Sequence, residues 1–200
     1  MKGFLAELAE QRWDDHRFYH RSRINQTLHL ISACSFVLAY VLLFTHPVIA
    51  VLFGWTFSMC SRQIGHFFFE PKGYDPKNQT THEYKESVKV GFNLRRKVIL
   101  HSIWGLIPIV LAFSPTFFGI FSQPWTNVST YCEHLARLWL VLAGGALVFR
   151  TIQLFFIRSV IAGLAWFTKI LTDPFHDIML YWKAPIYLMR GELVDNRQHA

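Results

Sequence analysis

The chain has 200 residues, 52 % of them apolar and 16 % charged, against about 25 % charged in an ordinary soluble domain. Long uncharged runs alternate with dense basic ones, which argues against a soluble globular domain and for an integral membrane protein. The net charge of +7 can suit nucleic acid or an anionic membrane surface, but the basic residues flank apolar runs and no RNA- or DNA-binding module is present, so no nucleic-acid partner is expected.

Residues 1–25 read as one or two polar helices with Phe4, Leu5 and Leu8 on one side, suited to the membrane surface. They hold no apolar core of signal-peptide length, so the first membrane segment is expected to serve as the insertion signal. Leu30 to Thr45 and Val48 to Ser61 are uncharged, with His46-Pro47 between them. Each arm falls short of the ~20 residues of a full span, so the pair is either two short spans or a re-entrant hairpin.

Residues 70–97 are polar: Pro71, Gly73 and Pro76 mark a loop, and Thr81 to Lys97 is expected to be helical. A span over about 98–114 follows, then an uncharged aromatic loop through Tyr131. Leu138 to Ile157 is the next span and carries Gly144-Gly145 and Arg150. Ser159 to Leu171 reads as an interfacial helix, and Asp173-Pro174 as the start of another, with Asp at the N-cap. Tyr181-Trp182-Lys183 and Tyr187 suit a membrane surface.

The expected fold is an all-α membrane bundle of about four spans with interfacial helices. Its single membrane domain, 1–200, divides into N-terminal helices (1–28), a hairpin (29–65), a polar segment (66–97), two spans (98–158) and an interfacial C-terminal region (159–200). In that topology eighteen of the twenty Lys and Arg residues fall on one side. The positive-inside rule then makes both termini and the 66–97 segment cytoplasmic, in an inner membrane if bacterial or the endoplasmic reticulum if eukaryotic. Cys34, Cys60 and Cys132 form no disulfide framework and read as free thiols.

The chemistry is expected around Arg62-Gln63-Ile64-Gly65-His66-Phe67-Phe68-Phe69-Glu70. On a helix Arg62, His66 and Glu70 share one face, with Gln63 beside them, and Gly65 lets another helix approach closely. His29, His66 and His101 fall at the cytoplasmic ends of the first three spans, at nearly one depth. His16, His20, His82, His176 and His199 lie in segments next to those ends. Neutral imidazoles gathered at one level suit Fe, Zn, Cu or Ni; the alternative is a set of unrelated interfacial caps.

Asn25 and His29 share a helical face, whereas His20 and His29, nine residues apart, do not. Both reach one metal only if the helix breaks between them, at Ser22 to Asn25, where Asn25 could cap the following span. Asp173, three residues before His176, is expected to orient that imidazole. Arg62, Arg150 and the Lys and Arg of the 95–97 cluster are candidates for a substrate carboxylate. His16-x3-His20 resembles the first histidine box of membrane di-iron desaturases, but the chain has no adjacent histidines and lacks their paired boxes.

Tyr19-His20, Asn25 and His29, followed by Gly65-His66 with Glu70, resemble the pattern of the fungal 2-hydroxy-fatty-acid dioxygenase family over about residues 16–72. Ile31-Ser32-Ala33 and Pro71 to Pro76 depart from that pattern. The resemblance implies a small multi-span membrane enzyme that uses iron(II) and O2 to shorten a 2-hydroxy fatty acid by one carbon. His20, His29 and His66 would then be ligands, and Glu70 a ligand or proton-handling group. His101 and His176 remain further metal candidates, Glu70 and Asn25 candidate catalytic groups, and Asp173 and Gln63 supporting residues. A zinc-dependent membrane lipid hydrolase and a non-enzymatic membrane scaffold are the alternatives. The sequence names no protein partner.

Overall fold

The computed structural model describes residues 3–196, so His199 lies outside the described residues. The described chain is helical, with isolated bridges and no extended strand. Helix α1 (Phe4–Tyr19) ends at His20, and α2 (Arg23–Leu42) starts after Ser22, whose hydroxyl accepts the Asn25 backbone N–H. The break demanded by the His20/His29 spacing is therefore real, but Ser22 makes the cap and Asn25 sits inside the helix. The junction is strapped by the C-terminal segment: Ser22 pairs with Val194, and Arg23 binds the Asp195 carboxylate at 2.9 Å.

Pro47 starts α3 (Pro47–Phe53), where its missing N–H costs nothing. The helix continues through a π-helical stretch, Gly54–Met59, into α4 (Cys60–Phe68). A π turn holds an extra residue and so re-aims everything after it relative to what precedes it. Here it precedes Arg62 and His66. The Ser32 hydroxyl donates to the Ser58 carbonyl at 2.7 Å, tying α2 to the end of this stretch.

Only His82–Val88 (α5) of the expected 81–97 helix forms, because Asn93 caps a separate helix, α6 (Leu94–Phe113). Helix α7 (Val128–Ile157) begins ten residues earlier than the apolar run suggests, since Asn127 and Thr130 form a reciprocal capping box. Helix α8 (Val160–Tyr181) corrects a larger expectation. It runs unbroken through Asp173-Pro174, so Asp173 caps nothing. Pro174 removes one backbone hydrogen bond, while Asp173 and Asp177 on the same helix take cationic partners described below. A short α9 (Ala184–Met189) completes the order.

Helices α2, α6 and α7 are long and apolar enough to cross a membrane. At 1.5 Å per residue the first two are each about 30 Å long, matching a hydrocarbon core of about 30 Å. Their outward side chains, among them Val41, Ile103, Phe113, Val141 and Phe149, are exposed in a way that suits lipid contact. One apolar cluster joins α3, the π stretch, α6 and α7 around Trp55, Trp104 and Trp139, whose ring centroids lie 5.5–6.2 Å apart. The opposite part of the bundle, where α1, α2, α4 and α8 meet, is polar inside.

Candidate metal centre

Three imidazoles converge there. His20 comes from the α1–α2 junction, His29 from α2 and His66 from α4, and all are buried. Their ring centroids lie 4.0 Å (His20–His29), 4.9 Å (His29–His66) and 5.2 Å (His20–His66) apart. One nitrogen from each ring can be chosen so that all three lie within 4.8 Å of one another. Residues nine and thirty-seven positions from His29 are thus brought to one point.

Close approach of α2 and α4 depends on Gly65. A Cβ at that position would lie 2.1 Å from Asn25 Oδ1 and 3.5 Å from His29 Cδ2. Asn25 in turn donates from Nδ2 to the Tyr19 carbonyl at 2.8 Å, holding the residue before His20. Gln26 donates to the His20 carbonyl at 2.7 Å. Both amides are fully buried, and they fix the backbone of the break.

Each ring is also held by its Nδ1. His66 faces Glu70 Oε2 at 2.8 Å, His20 faces the Tyr181 hydroxyl at 3.1 Å, and His29 faces Asp177 Oδ2 at 3.4 Å. Nε2 of His20 and Nε2 of His29 are buried and have no hydrogen-bond partner. An acceptor on Nδ1 with a free Nε2 is the arrangement of a histidine whose outer nitrogen is oriented and whose inner nitrogen is available to a metal. Burial first, then the neighbouring His29 ring, pushes the His20 imidazole well below its usual value of 6.5, so it is held neutral. Neutral imidazole is the form that ligates.

The orienting groups belong to a chain of alternating charge. Asp15 meets Lys169 at 2.9 Å, Lys169 meets Asp173 at 2.9 Å, Arg62 meets Asp173 at 3.3 Å and Asp177 at 3.1 Å. Burial opposes ionisation of Asp15, but the surrounding basic groups, Lys169 foremost, together outweigh it and hold the carboxyl well below its usual range. Alternation keeps each buried charge paired, which a buried ion requires. It also locks α1, α4 and α8 in register around the imidazoles.

A cavity of about 500 Å³ reaches this polar end from the apolar interior, within the usual range of ~300–1,000 Å³ for ligand pockets. Phe36, Leu43, Val51, Trp55 and Leu140 line the apolar part; Arg62, Gln63, His66, Lys97 and His101 line the polar part.

Not every expected residue takes its expected place. His101 is absent from the triad: its Nδ1 bonds to the Lys97 carbonyl and its ring packs on Phe67 and Trp104. His176 is also outside it, because α8 turns Asp177, not His176, toward His29. Asp173 binds Lys169 and Arg62 rather than His176. Gln63 donates to Met59 Sδ instead of bracing an imidazole. Arg150 is bound to the carbonyls of Val90 and Gly91 and to Gln153, holding the α5–α6 loop against α7.

Asp177, Tyr181 and Lys169 were not expected at the site. Their signal is the spacing Lys169, Asp173, Asp177, Tyr181, every fourth residue, which is one face of a continuous helix. Breaking that helix at Pro174 hides the face. Tyr181 is not an interfacial anchor but a buried residue whose hydroxyl meets both His16 and His20.

Comparisons with protein-family models, with curated proteins and with solved structures find no match. The three apolar helices and the buried histidine triad therefore define the class to which the site points: a membrane-type helical protein with a possible metal centre.

Proposed function

We propose that the protein is a membrane-bound iron(II) dioxygenase acting on a 2-hydroxy fatty acid, with iron held by His20, His29 and His66. The observation that carries this reading is the triad itself, with an acceptor at each Nδ1 and two buried, unpartnered Nε2 atoms. Three neutral nitrogen donors fit a divalent transition metal, and three protein ligands leave positions open for O2 and substrate. The same residues carry the family resemblance in the sequence. The overall change is RCH(OH)COOH + O2 → RCOOH + CO2 + H2O, in which the substrate loses the electrons that O2 gains. When bound, iron(II) would supply the O2 chemistry.

The chain's own residues supply the rest. Glu70, Tyr181 and Asp177 orient the imidazoles, and the apolar lining excludes water from the acyl chain. In the proposed topology Pro47–Phe68, the π-containing helix, makes a fourth span. Both termini and the polar 66–97 segment face the cytoplasm, following the distribution of Lys and Arg.

Elemental analysis of purified protein, with His66→Ala as control, tests the reading. The expected result is stoichiometric iron in wild type, its loss in His66→Ala, and O2 uptake with a 2-hydroxy fatty acid. Stoichiometric zinc with no O2 uptake would favour a zinc-dependent lipid hydrolase. Absence of any transition metal would leave a membrane scaffold and defeat the enzyme reading.

A further inference from the structure

The polar end of the cavity of about 500 Å³ carries four basic side chains, Arg62, Lys89, Lys97 and Lys169. Three of them are already matched. Arg62 has Asp173 and Asp177, Lys169 has Asp15 and Asp173, and Lys89 has Glu70 and Glu86, each at 3.3 Å. Lys97 alone has no carboxylate within ion-pair distance among the described residues. Arg150, another cation expected to meet a substrate, is bound to backbone carbonyls and does not line the cavity.

The position of Lys97 is also costly to the helix that bears it. It lies at the start of α6 behind Arg95 and Arg96, with no acidic residue in the first turn. The partial positive charge of a helix N-terminus disfavours cations there. Local structure therefore gives no reason for this ammonium. The cavity does: Lys97 lines it together with His66, and it also borders the small space shared by His66 and Glu70. Along α2 the cavity is lined by Phe36, Ala39, Tyr40 and Leu43, and across from it by Val51, Trp55 and Leu140, an apolar wall suited to an acyl tail.

We propose that Lys97 is the carboxylate-recognition residue of this cavity, the group that selects amphiphilic acids over neutral lipids of equal chain length. This rests on the reading of the cavity as a substrate site. Only the anion completes the charge pairing at the polar end, while the tail takes the apolar length.

The test is binding, not turnover. Full-length protein in nonionic detergent is equilibrated with radiolabelled 2-hydroxyhexadecanoate or with hexadecane-1,2-diol, its neutral counterpart. Lys97→Met is expected to weaken acid binding by about 30-fold or more, the usual effect of removing one partner of a buried charge pair. Diol affinity should stay within roughly twofold, and Lys97→Arg should recover most acid binding. Wild-type acid affinity in Lys97→Met overturns the proposal, as does equal loss of acid and diol. Metal content, measured on the same preparations, separates this from the iron reading. Lys97-dependent acid binding by a protein without metal would sink the iron and keep the recognition residue. Metal-loaded protein whose acid binding ignores Lys97 would do the reverse.

Discussion

Gly65→Ala is the sharpest single perturbation of the geometry. The added methyl would stand 2.1 Å from Asn25 Oδ1 and 3.2 Å from Asn25 Cγ, whereas real Cβ contacts essentially never fall below 3.0 Å. Asn25 cannot simply swing away, because its Nδ2 is bonded to the Tyr19 carbonyl and the side chain is fully buried. Either that bond breaks, releasing the backbone next to His20, or α2 and α4 separate by roughly 1 Å, at an overpacking cost of about 1–3 kcal/mol. The better helix propensity of Ala returns up to ~1 kcal/mol, so the net loss of stability is about 0–3 kcal/mol. The larger effect is expected on the proposed metal. A displacement of that size moves His66, the next residue, relative to His29 and His20, and is expected to weaken metal affinity at least ~10-fold. Competition with a calibrated chelator measures the affinity, and thermal unfolding in detergent measures stability. Gly105→Ala, with open space at its Cβ, is the control and should leave metal binding unchanged. Asn25→Ala added to Gly65→Ala removes the clash and should recover part of the affinity. Wild-type metal affinity in Gly65→Ala would refute the claim that this close approach positions the triad.

Other outcomes follow from the same contacts. Tyr181→Phe removes the hydroxyl at His20 and should lower metal affinity about 10-fold, visible in the same competition assay; Phe175→Tyr, on the exposed side of α8, should not. Alanine at His20, His29 or His66 should each abolish stoichiometric metal, while alanine at His101 or His176 should leave it, as elemental analysis would show. Arg150→Met orphans the Val90 and Gly91 carbonyls and is expected to destabilise by about 1–3 kcal/mol, read by thermal unfolding, without altering metal content. His20 gives a pH dependence in the metal-free protein. Its folded pKa lies well below the 6.5 it has when solvated, so as pH drops below 6.5 the unfolded chain takes up a proton that the folded one refuses. The contribution of His20 is thus fully present above 6.5 and falls by up to about 1.4 kcal/mol per pH unit down to the folded pKa. Tm measured between pH 7 and 5 should decline, and His20→Phe should flatten that decline.

Much of this arrangement is written in local sequence, because local forces produce it. Composition and run length suffice for an all-helical protein with membrane-length apolar helices, since helix formation and lipid burial depend on residues near one another. Gly65 before His66 announces a close helix approach, and the nine-residue interval from His20 to His29 demands a break. Capping residues set where the helices begin, but Asn127 with Thr130 outweighs the apolar run and starts α7 earlier than hydropathy suggests.

What the linear order could not decide is which polar side chains share the interior. His20, His29, His66, His101 and His176 look alike as letters. Only the packing of α8 against α1, α2 and α4 places Asp177 and Tyr181 behind two of the imidazoles and leaves His101 and His176 outside. Pro174 reads locally as a helix start, yet it lies inside α8, where Asp173 and Asp177 on either side are matched by Lys169 and Arg62. Local chemistry selects helices and their ends; the pairing of buried charges across distant segments is a property of the assembled bundle.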